Sequence, residues 1–152
     1  MTKKKICLIA SSGGHYEQLL MLKLLHRDYS IFFVTEKTKY SNSEEDKYYI
    51  KQVNRKEKTI FLDMIVVFFQ SLNIFLKENP DVIISTGSLS VIPMFLIGKI
   101  FRKKLIFIES FAKTNSPTLT GKLIYKFSDV FIVQWESMLK VYPKAKYFGY
   151  IY

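Results

Sequence analysis

The stretch KICLIASSGGHYEQLL, residues 5–20, decides the fold. It opens on an apolar run without polar alternation, the pattern of a strand buried on both faces. The run breaks at Ser11, Ser12, Gly13 and Gly14, and helical spacing begins with His15 and Tyr16. A strand, a turn of small residues and a helix in succession form the opening unit of a parallel α/β domain.

The same pattern repeats along the chain. Apolar runs recur at 30–34, 82–85, 105–108 and 130–133, with weaker strands expected near 49–53 and 146–148. Helical spacing covers about 14–27, 58–78, 89–101, 118–128 and 136–141. This alternation predicts an α/β fold: an open parallel sheet with right-handed crossovers and helices on both faces. At 152 residues the chain is expected to form a single domain, 1–152, burying roughly two-thirds of its unfolded surface. Residues 35–49 (TEKTKYSNSEEDKYY) lack apolar periodicity and read as an exposed loop. Asn79-Pro80-Asp81 reads as a helix stop.

Hydrophobic residues make up 49% of the chain and aromatics 16%, which excludes disorder. Lys and Arg number 23 against 13 Asp and Glu, a net charge of +10. Such a balance favours nucleic acid, acidic lipid headgroups or sugar phosphates as partners, or simply gives a solvated lysine-rich surface. The lone Cys7 excludes an internal disulfide and reads as a core residue, which fits a reducing compartment. Five apolar residues precede Ser11, too few for a signal peptide.

The segment 59–78 (TIFLDMIVVFFQSLNIFLKE) has the length of a membrane span. At 100° per residue, however, Asp63, Gln70, Ser71, Asn73, Lys77 and Glu78 share a wedge of roughly 160°. The helix is therefore amphipathic. Its apolar face either packs on the sheet or lies in a membrane interface.

In an open parallel sheet, the loops after the first strand and after the strand at 82–85 meet at the topological switch point. Here those loops are Ser11, Ser12, Gly13, Gly14, His15 and Ser85, Thr86, Gly87, Ser88. Both join small hydroxylated residues to glycine ahead of a helix. They read as an anion site for a phosphate or diphosphate, or as ordinary capped turns. Neither G-x-G-x-x-G nor G-x-x-x-x-G-K-[ST] occurs, which disfavours NAD and ATP. Ser90 replaces the second glycine of G-x-S-x-G, which argues against a hydrolase. His15 is a candidate general base or phosphate donor, or a structural histidine; His26 reads as a surface residue. Glu109 ends an apolar run at the same sheet edge, where it could act as a base, bind a hydroxyl, cap a helix or pair with Lys113. The two histidines and one cysteine offer no close-spaced metal-ligand set.

Several blocks go beyond this spacing: SGGH near the start, ISTGSLSVIP at 84–93, LIFIESFA at 105–112 and LTGKLIYKFSDVFIVQW at 119–135. Tyr142-Pro143 and Tyr147-Phe148-Gly149 follow them. Together they resemble the oligosaccharide-biosynthesis family that includes the membrane-anchoring subunit of the two-part N-acetylglucosaminyl transferase of dolichol-linked oligosaccharide assembly. Its bacterial members in capsule and exopolysaccharide clusters are the nearest in kind.

The resemblance implies a Rossmann-like domain, the N-terminal, acceptor-binding half of a GT-B glycosyltransferase. The sequence ends about where the UDP-sugar half would begin, so the donor-binding subunit is expected to be a separate polypeptide. Gly13, Gly14 and His15, with Ser12 beside them, match the loop facing the acceptor diphosphate. Thr86, Gly87 and Ser88 match the second loop, and Glu109 with Ser110 the third. The expected catalytic residues are His15 and Glu109, with no metal and no cofactor. The expected partners are the donor-binding subunit, a polyprenyl-diphosphate-linked sugar and an anionic membrane surface.

Without the eukaryotic membrane anchor, the protein is expected to be peripheral on the cytoplasmic face of the cell membrane. Partner docking is expected near the C-terminus, at Trp135, Tyr142, Tyr147, Phe148, Tyr150 and Tyr152. The alternative is a non-catalytic scaffold that recruits an already competent glycosyltransferase. No nucleic-acid motif supports a nucleic-acid partner.

Overall fold

The computed structural model describes residues 3–39, 41 and 46–151. Strand β1 (Lys5–Ala10) leads into helix α1 (Gly14–Leu20), a 3₁₀ segment (Met21–Arg27) and β2 (Ser30–Glu36). β3 (Lys47–Ile50), α2 (Ile60–Glu78), β4 (Val82–Gly87), a 3₁₀ turn (Leu89–Val91), α3 (Ile92–Ile100) and β5 (Lys104–Ile108) follow. α4 (Leu119–Ile124), β6 (Val130–Val133), a 3₁₀ segment (Glu136–Lys140) and β7 (Lys146–Tyr147) complete the order.

The strands form one seven-stranded sheet in the order β3-β2-β1-β4-β5-β6-β7, every pair parallel. The direction of winding reverses at β1, which lies between β2 and β4. Alternate residues of β1 serve different layers. Cys7 and Ile9 join the core under α2, α3 and α4, whereas Ile6, Leu8 and Ala10 join the core under α1. This is the two-sided burial that an unbroken apolar strand requires. Cys7 is fully buried, and loss of hydration pushes its thiol pKa far up, leaving an inert core group.

The structure adjusts several boundaries. The helix expected over 14–27 is α-helical only to Leu20; Met21–Arg27 is 3₁₀, with Leu22 and Leu25, three residues apart, packed half-buried on the core under α1. His26 is exposed there, its Nδ1–H donating to the Lys23 carbonyl. β2 runs on to Glu36, whose buried carboxylate is satisfied by the backbone N–H groups of Ser12 and Val53 and by the Ser12 hydroxyl. β3 starts at Lys47 as an edge strand, where the Lys47 ammonium lies over the Tyr16 and Tyr49 rings at 5.0 and 5.5 Å. Both ends of the exposed loop expected at 35–49 are therefore strand. Residues 40 and 42–45, inside that loop, lie outside the described residues. α4 ends at Ile124 rather than 128, because Tyr125 turns inward to pack on Phe131 and Tyr142. Asn79 stops α2 in the left-handed region, at φ 44°.

α2 departs most from its pattern. Its polar wedge turns partly inward: Asp63 and Ser71 are buried beside Val67, Ile74 and Phe75. Asp63 is satisfied there by the Lys51 ammonium and the Thr59 hydroxyl. Phe61, Leu62, Ile65, Phe69 and Leu76 are left on the outer side.

Candidate functional site

The register between β1 and β4 slips after Ile9: Ile9 pairs with Ser85 and Ala10 with Gly87, which leaves Thr86 as the extra residue. Such irregularities re-aim groups at the mouth of a sheet. Here the Thr86 carbonyl and hydroxyl turn toward α1. The His15 Nδ1–H donates to the Thr86 carbonyl (2.7 Å), and the Thr86 hydroxyl donates to the His15 carbonyl (2.6 Å). A carbonyl can only accept, so the proton sits on Nδ1 and Nε2 of the neutral ring keeps its lone pair.

Gly87 permits the approach. Its φ is +106°, and a Cβ there would stand 3.1 Å from the imidazole. The Ser11 N–H donates to the Gly87 carbonyl at 2.9 Å, closing the two loops together.

A cleft of about 360 Å³ opens on this junction, lined by His15, Thr86, Gly87, Ser88 and Glu109 and by Arg55, Lys113, Thr118 and Thr120. Two cations, Arg55 and Lys113, thus share the cleft with the loops after β1 and β4. Thr120 is 1% exposed, and its hydroxyl has no hydrogen-bond partner among the described residues. Ser12 and Gly13 line a separate groove of about 630 Å³, with Tyr16, Glu36, Lys47 and Tyr49. The glycine-rich stretch is therefore shared between two depressions. Gly14 and Ser110 line neither; Ser110 is buried, and its carbonyl accepts from the Lys113 N–H.

Glu109 is built differently from a free base. It is 1% exposed, and its carboxylate accepts from the Ser110 N–H (2.9 Å), the Thr118 N–H (3.2 Å), the Thr118 hydroxyl (2.9 and 3.2 Å) and the Tyr142 hydroxyl (2.7 Å). Burial, then the Glu109 carboxylate, raises the Tyr142 phenol pKa far above its ordinary value. A Cβ on Gly121 would overlap the Glu109 carboxylate, so the first turn of α4 sits directly on it. Of the roles weighed from sequence, the helix cap is the one nearest to these bonds, since the carboxylate holds Thr118, the N-cap residue of α4. The Lys113 ion pair is not among them.

A second polar network borders the cleft. Gln134 donates through Nε2 to Gln18 Oε1 (2.8 Å) and to the Glu109 carbonyl (2.9 Å), and its Oε1 accepts from the Ile151 N–H (3.2 Å). The Trp135 indole donates to the Phe111 carbonyl at 2.7 Å, and Phe111, Trp135 and Tyr150 form an aromatic cluster. The C-terminal segment is thereby tied to the sheet edge. Phe148 (75%) and Tyr150 (60%) are well exposed and Tyr147 less so, whereas Tyr142 belongs to the core; Tyr152 lies outside the described residues.

Sequence reasoning missed Arg55, Thr118, Thr120, Glu36 and Gln18 as parts of this edge. Arg55 lies in a run of polar residues without periodicity. Gln18 falls on an ordinary helical spacing. The long-range partners of Gln18, the Phe111 N–H and the Gln134 amide, leave no local signal.

Residues 51–151 match the family described as "Oligosaccharide biosynthesis protein Alg14 like". The UDP-N-acetylglucosamine transferase subunit ALG14 of Mus musculus is 27% identical across 97% of this chain and 82% of its own length. The Homo sapiens protein of the same name is 28% identical over 96% and 82%. The Kluyveromyces lactis one is 50% identical over 46 residues, 30% of this chain and 20% of that protein. Among solved structures, Acinetobacter baumannii MurG superposes with a TM-score of 0.70 at 15% identity, covering 86% of this chain and 41% of that one. A UDP-N-acetylglucosamine 2-epimerase from Rickettsia bellii gives 0.76 at 13% identity over 98% and 45%. The chain spans under half the length of either structure. Its fold is the Rossmann-like α/β arrangement of one GT-B half.

Proposed function

Because the chain belongs to the Alg14-like family of oligosaccharide-biosynthesis proteins, we propose that it is the acceptor-binding subunit of a two-part glycosyltransferase. Its donor-binding partner presents a UDP-sugar, and the sugar passes to a polyprenyl-diphosphate-linked saccharide in capsule or exopolysaccharide synthesis. The protein works at the cytoplasmic face of the membrane, as a peripheral subunit. The relatives' description as subunits of a UDP-N-acetylglucosamine transferase supports this reading.

The observation that carries it is the cleft at the switch point, where the free Nε2 of His15 stands among Arg55, Lys113, Ser88 and Thr120. Arg55 and Lys113 meet the acceptor diphosphate, with the Thr86, Gly87 and Ser88 loop beside it. Ser12 and Gly13 border the acceptor from the neighbouring groove, and Gly14 carries the chain between them and His15. His15 Nε2 accepts the proton of the acceptor hydroxyl as that oxygen bonds to the anomeric carbon, and UDP leaves with the bonding electron pair. Glu109 acts as a positioning residue: it holds α4 and Thr118 against the cleft, and Ser110 supports the same turn. The partner docks at the edge bearing Phe148 and Tyr150.

The test is transfer from a UDP-sugar to a short-chain polyprenyl-diphosphate saccharide by the reconstituted pair. His15→Gln is expected to cut the rate on the order of 10²–10⁴ with acceptor binding retained. An unchanged rate would remove His15 as the base. Transfer by the partner alone would favour the scaffold over the acceptor subunit.

A further inference from the structure

The outer side of the α2–α3–α4 layer carries apolar residues where a solvated helix layer carries polar ones. On α2, Phe61 (83% exposed), Ile65, Phe69 (63%) and Leu76 follow one another along a single outward stripe, with Leu62 beside it. Ile100 (72%), Leu96 and Phe101 continue the surface at α3, and Leu119 and Leu123 at α4. The inner stripe of α2 packs on the sheet through Val67, Ile74 and Phe75.

Exposed charge on these elements is predominantly basic. Exposed cations border the apolar residues: Arg55, Lys56 and Lys58 before α2, Lys77 at its end, Lys99 and Arg102 around the end of α3, and Lys122 and Lys126 at α4. Through residues 51–78, 89–103 and 119–126, the single exposed carboxylate is Glu57; Asp63 is buried against Lys51, and Glu78 is held by Lys5 and Tyr48. Exposed Phe, Leu and Ile within a rim of Lys and Arg match an interfacial surface on anionic lipid. The core of a protein interface, by contrast, is depleted of lysine.

We infer that the α2–α3–α4 face is the membrane-docking surface of this protein: its apolar side chains enter the headgroup boundary of an anionic bilayer, and its lysines and arginines pair with lipid phosphates. Leu119 and Arg55 each line the His15 cleft and also border this face. On the acceptor reading above, the cleft therefore opens beside the lipid surface from which a polyprenyl chain would reach it.

The experiment is flotation of the purified protein with phosphatidylcholine vesicles and with vesicles also containing phosphatidylglycerol. The wild type is expected to float with the anionic vesicles and far less with the neutral ones. Ile65→Asp/Phe69→Asp, at exposed positions of α2, is expected to lower the bound fraction at least about tenfold while circular dichroism stays native. Lys56→Glu/Lys58→Glu is expected to remove the preference for anionic lipid. Failure of the wild type to bind, or equal binding by Ile65→Asp/Phe69→Asp, would overturn the inference. So would a dimer or a donor-subunit complex that this variant dissociates, since a protein would then cover the face. Transfer to a water-soluble, short-chain acceptor reports on the functional reading separately. The Ile65→Asp/Phe69→Asp variant is expected to keep that activity, and its loss would count against a purely lipid-docking role.

Discussion

His15 and Thr86 hold each other through two reciprocal hydrogen bonds, ring to carbonyl at 2.7 Å and hydroxyl to carbonyl at 2.6 Å, across 71 residues of sequence. The pair joins the loops after β1 and β4 at the sheet's switch point. It also makes Nδ1 the donor end of the ring, so one contact sets both the geometry of the junction and the tautomer of its histidine.

Gly87 and Gly14 are expected to respond oppositely to alanine. At Gly87 the added Cβ would meet both a positive φ and the imidazole, so Gly87→Ala should destabilise by roughly 1–3 kcal/mol and displace His15. Gly14 has nothing within 4 Å of a Cβ and no positive φ, so Gly14→Ala should be neutral or gain about 0.4–1 kcal/mol. Urea titration of both variants measures the contrast, and equal losses would contradict it.

Glu109→Gln should register first as lost stability. The amide loses one acceptor oxygen to Thr118 and Tyr142 inside a buried site, at a cost of about 1.5–3 kcal/mol. Tyr142→Phe should cost less, and in a double-mutant cycle the two should be non-additive. A Glu109→Gln protein of wild-type stability whose transfer rate alone collapses would instead mark Glu109 as the base.

Acid should weaken the link between β3 and α2. The Tyr48 hydroxyl, with Lys5 and Lys77 nearby, holds the Glu78 carboxyl below its ordinary value of 4.5. A depressed carboxyl means that the unfolded chain binds the proton more readily. The stability it contributes is complete above about 4.5 and is lost as pH falls through the lower folded value. Tyr48→Phe should therefore be less stable than wild type at neutral pH, with the gap narrowing below that range. Urea midpoints taken across the acid limb decide this, and a constant gap would exclude the linkage.

Gln134→Leu should loosen the C-terminal segment without dismantling the sheet. The Ile151 N–H and the Glu109 carbonyl both lose their partner. Faster amide exchange at Ile151 is expected. If Phe148 and Tyr150 form the partner's seat, Phe148→Ala/Tyr150→Ala should weaken donor-subunit binding by at least about 2 kcal/mol. Unaltered binding in a pull-down or titration would move the interface elsewhere.

The local content of the chain was legible from sequence. Two-sided apolar runs announced strands β1, β2, β4, β5 and β6, their alternation with helical spacing announced the parallel sheet, and Asn79-Pro80 announced the end of α2. Two glycine-bearing loops at the switch point followed from the order of elements. These features depend on neighbours within a few residues, which is the range over which periodicity and turn chemistry act.

What only the tertiary structure decided depends on partners distant in sequence. Glu109 became a saturated anchor because Thr118 and Tyr142 fold onto it, and Phe61, Ile65 and Phe69 face outward while Val67, Ile74 and Phe75 pack α2 on the sheet. Arg55 and Lys113 came to one cleft from opposite sides of the sheet order. By itself the sequence determined that Ser11 to His15 is a loop between strand and helix; packing against Thr86 and Gly87 decided which end of the histidine is free, because a side chain's hydrogen-bond partners are chosen by the fold rather than by its neighbours in the chain.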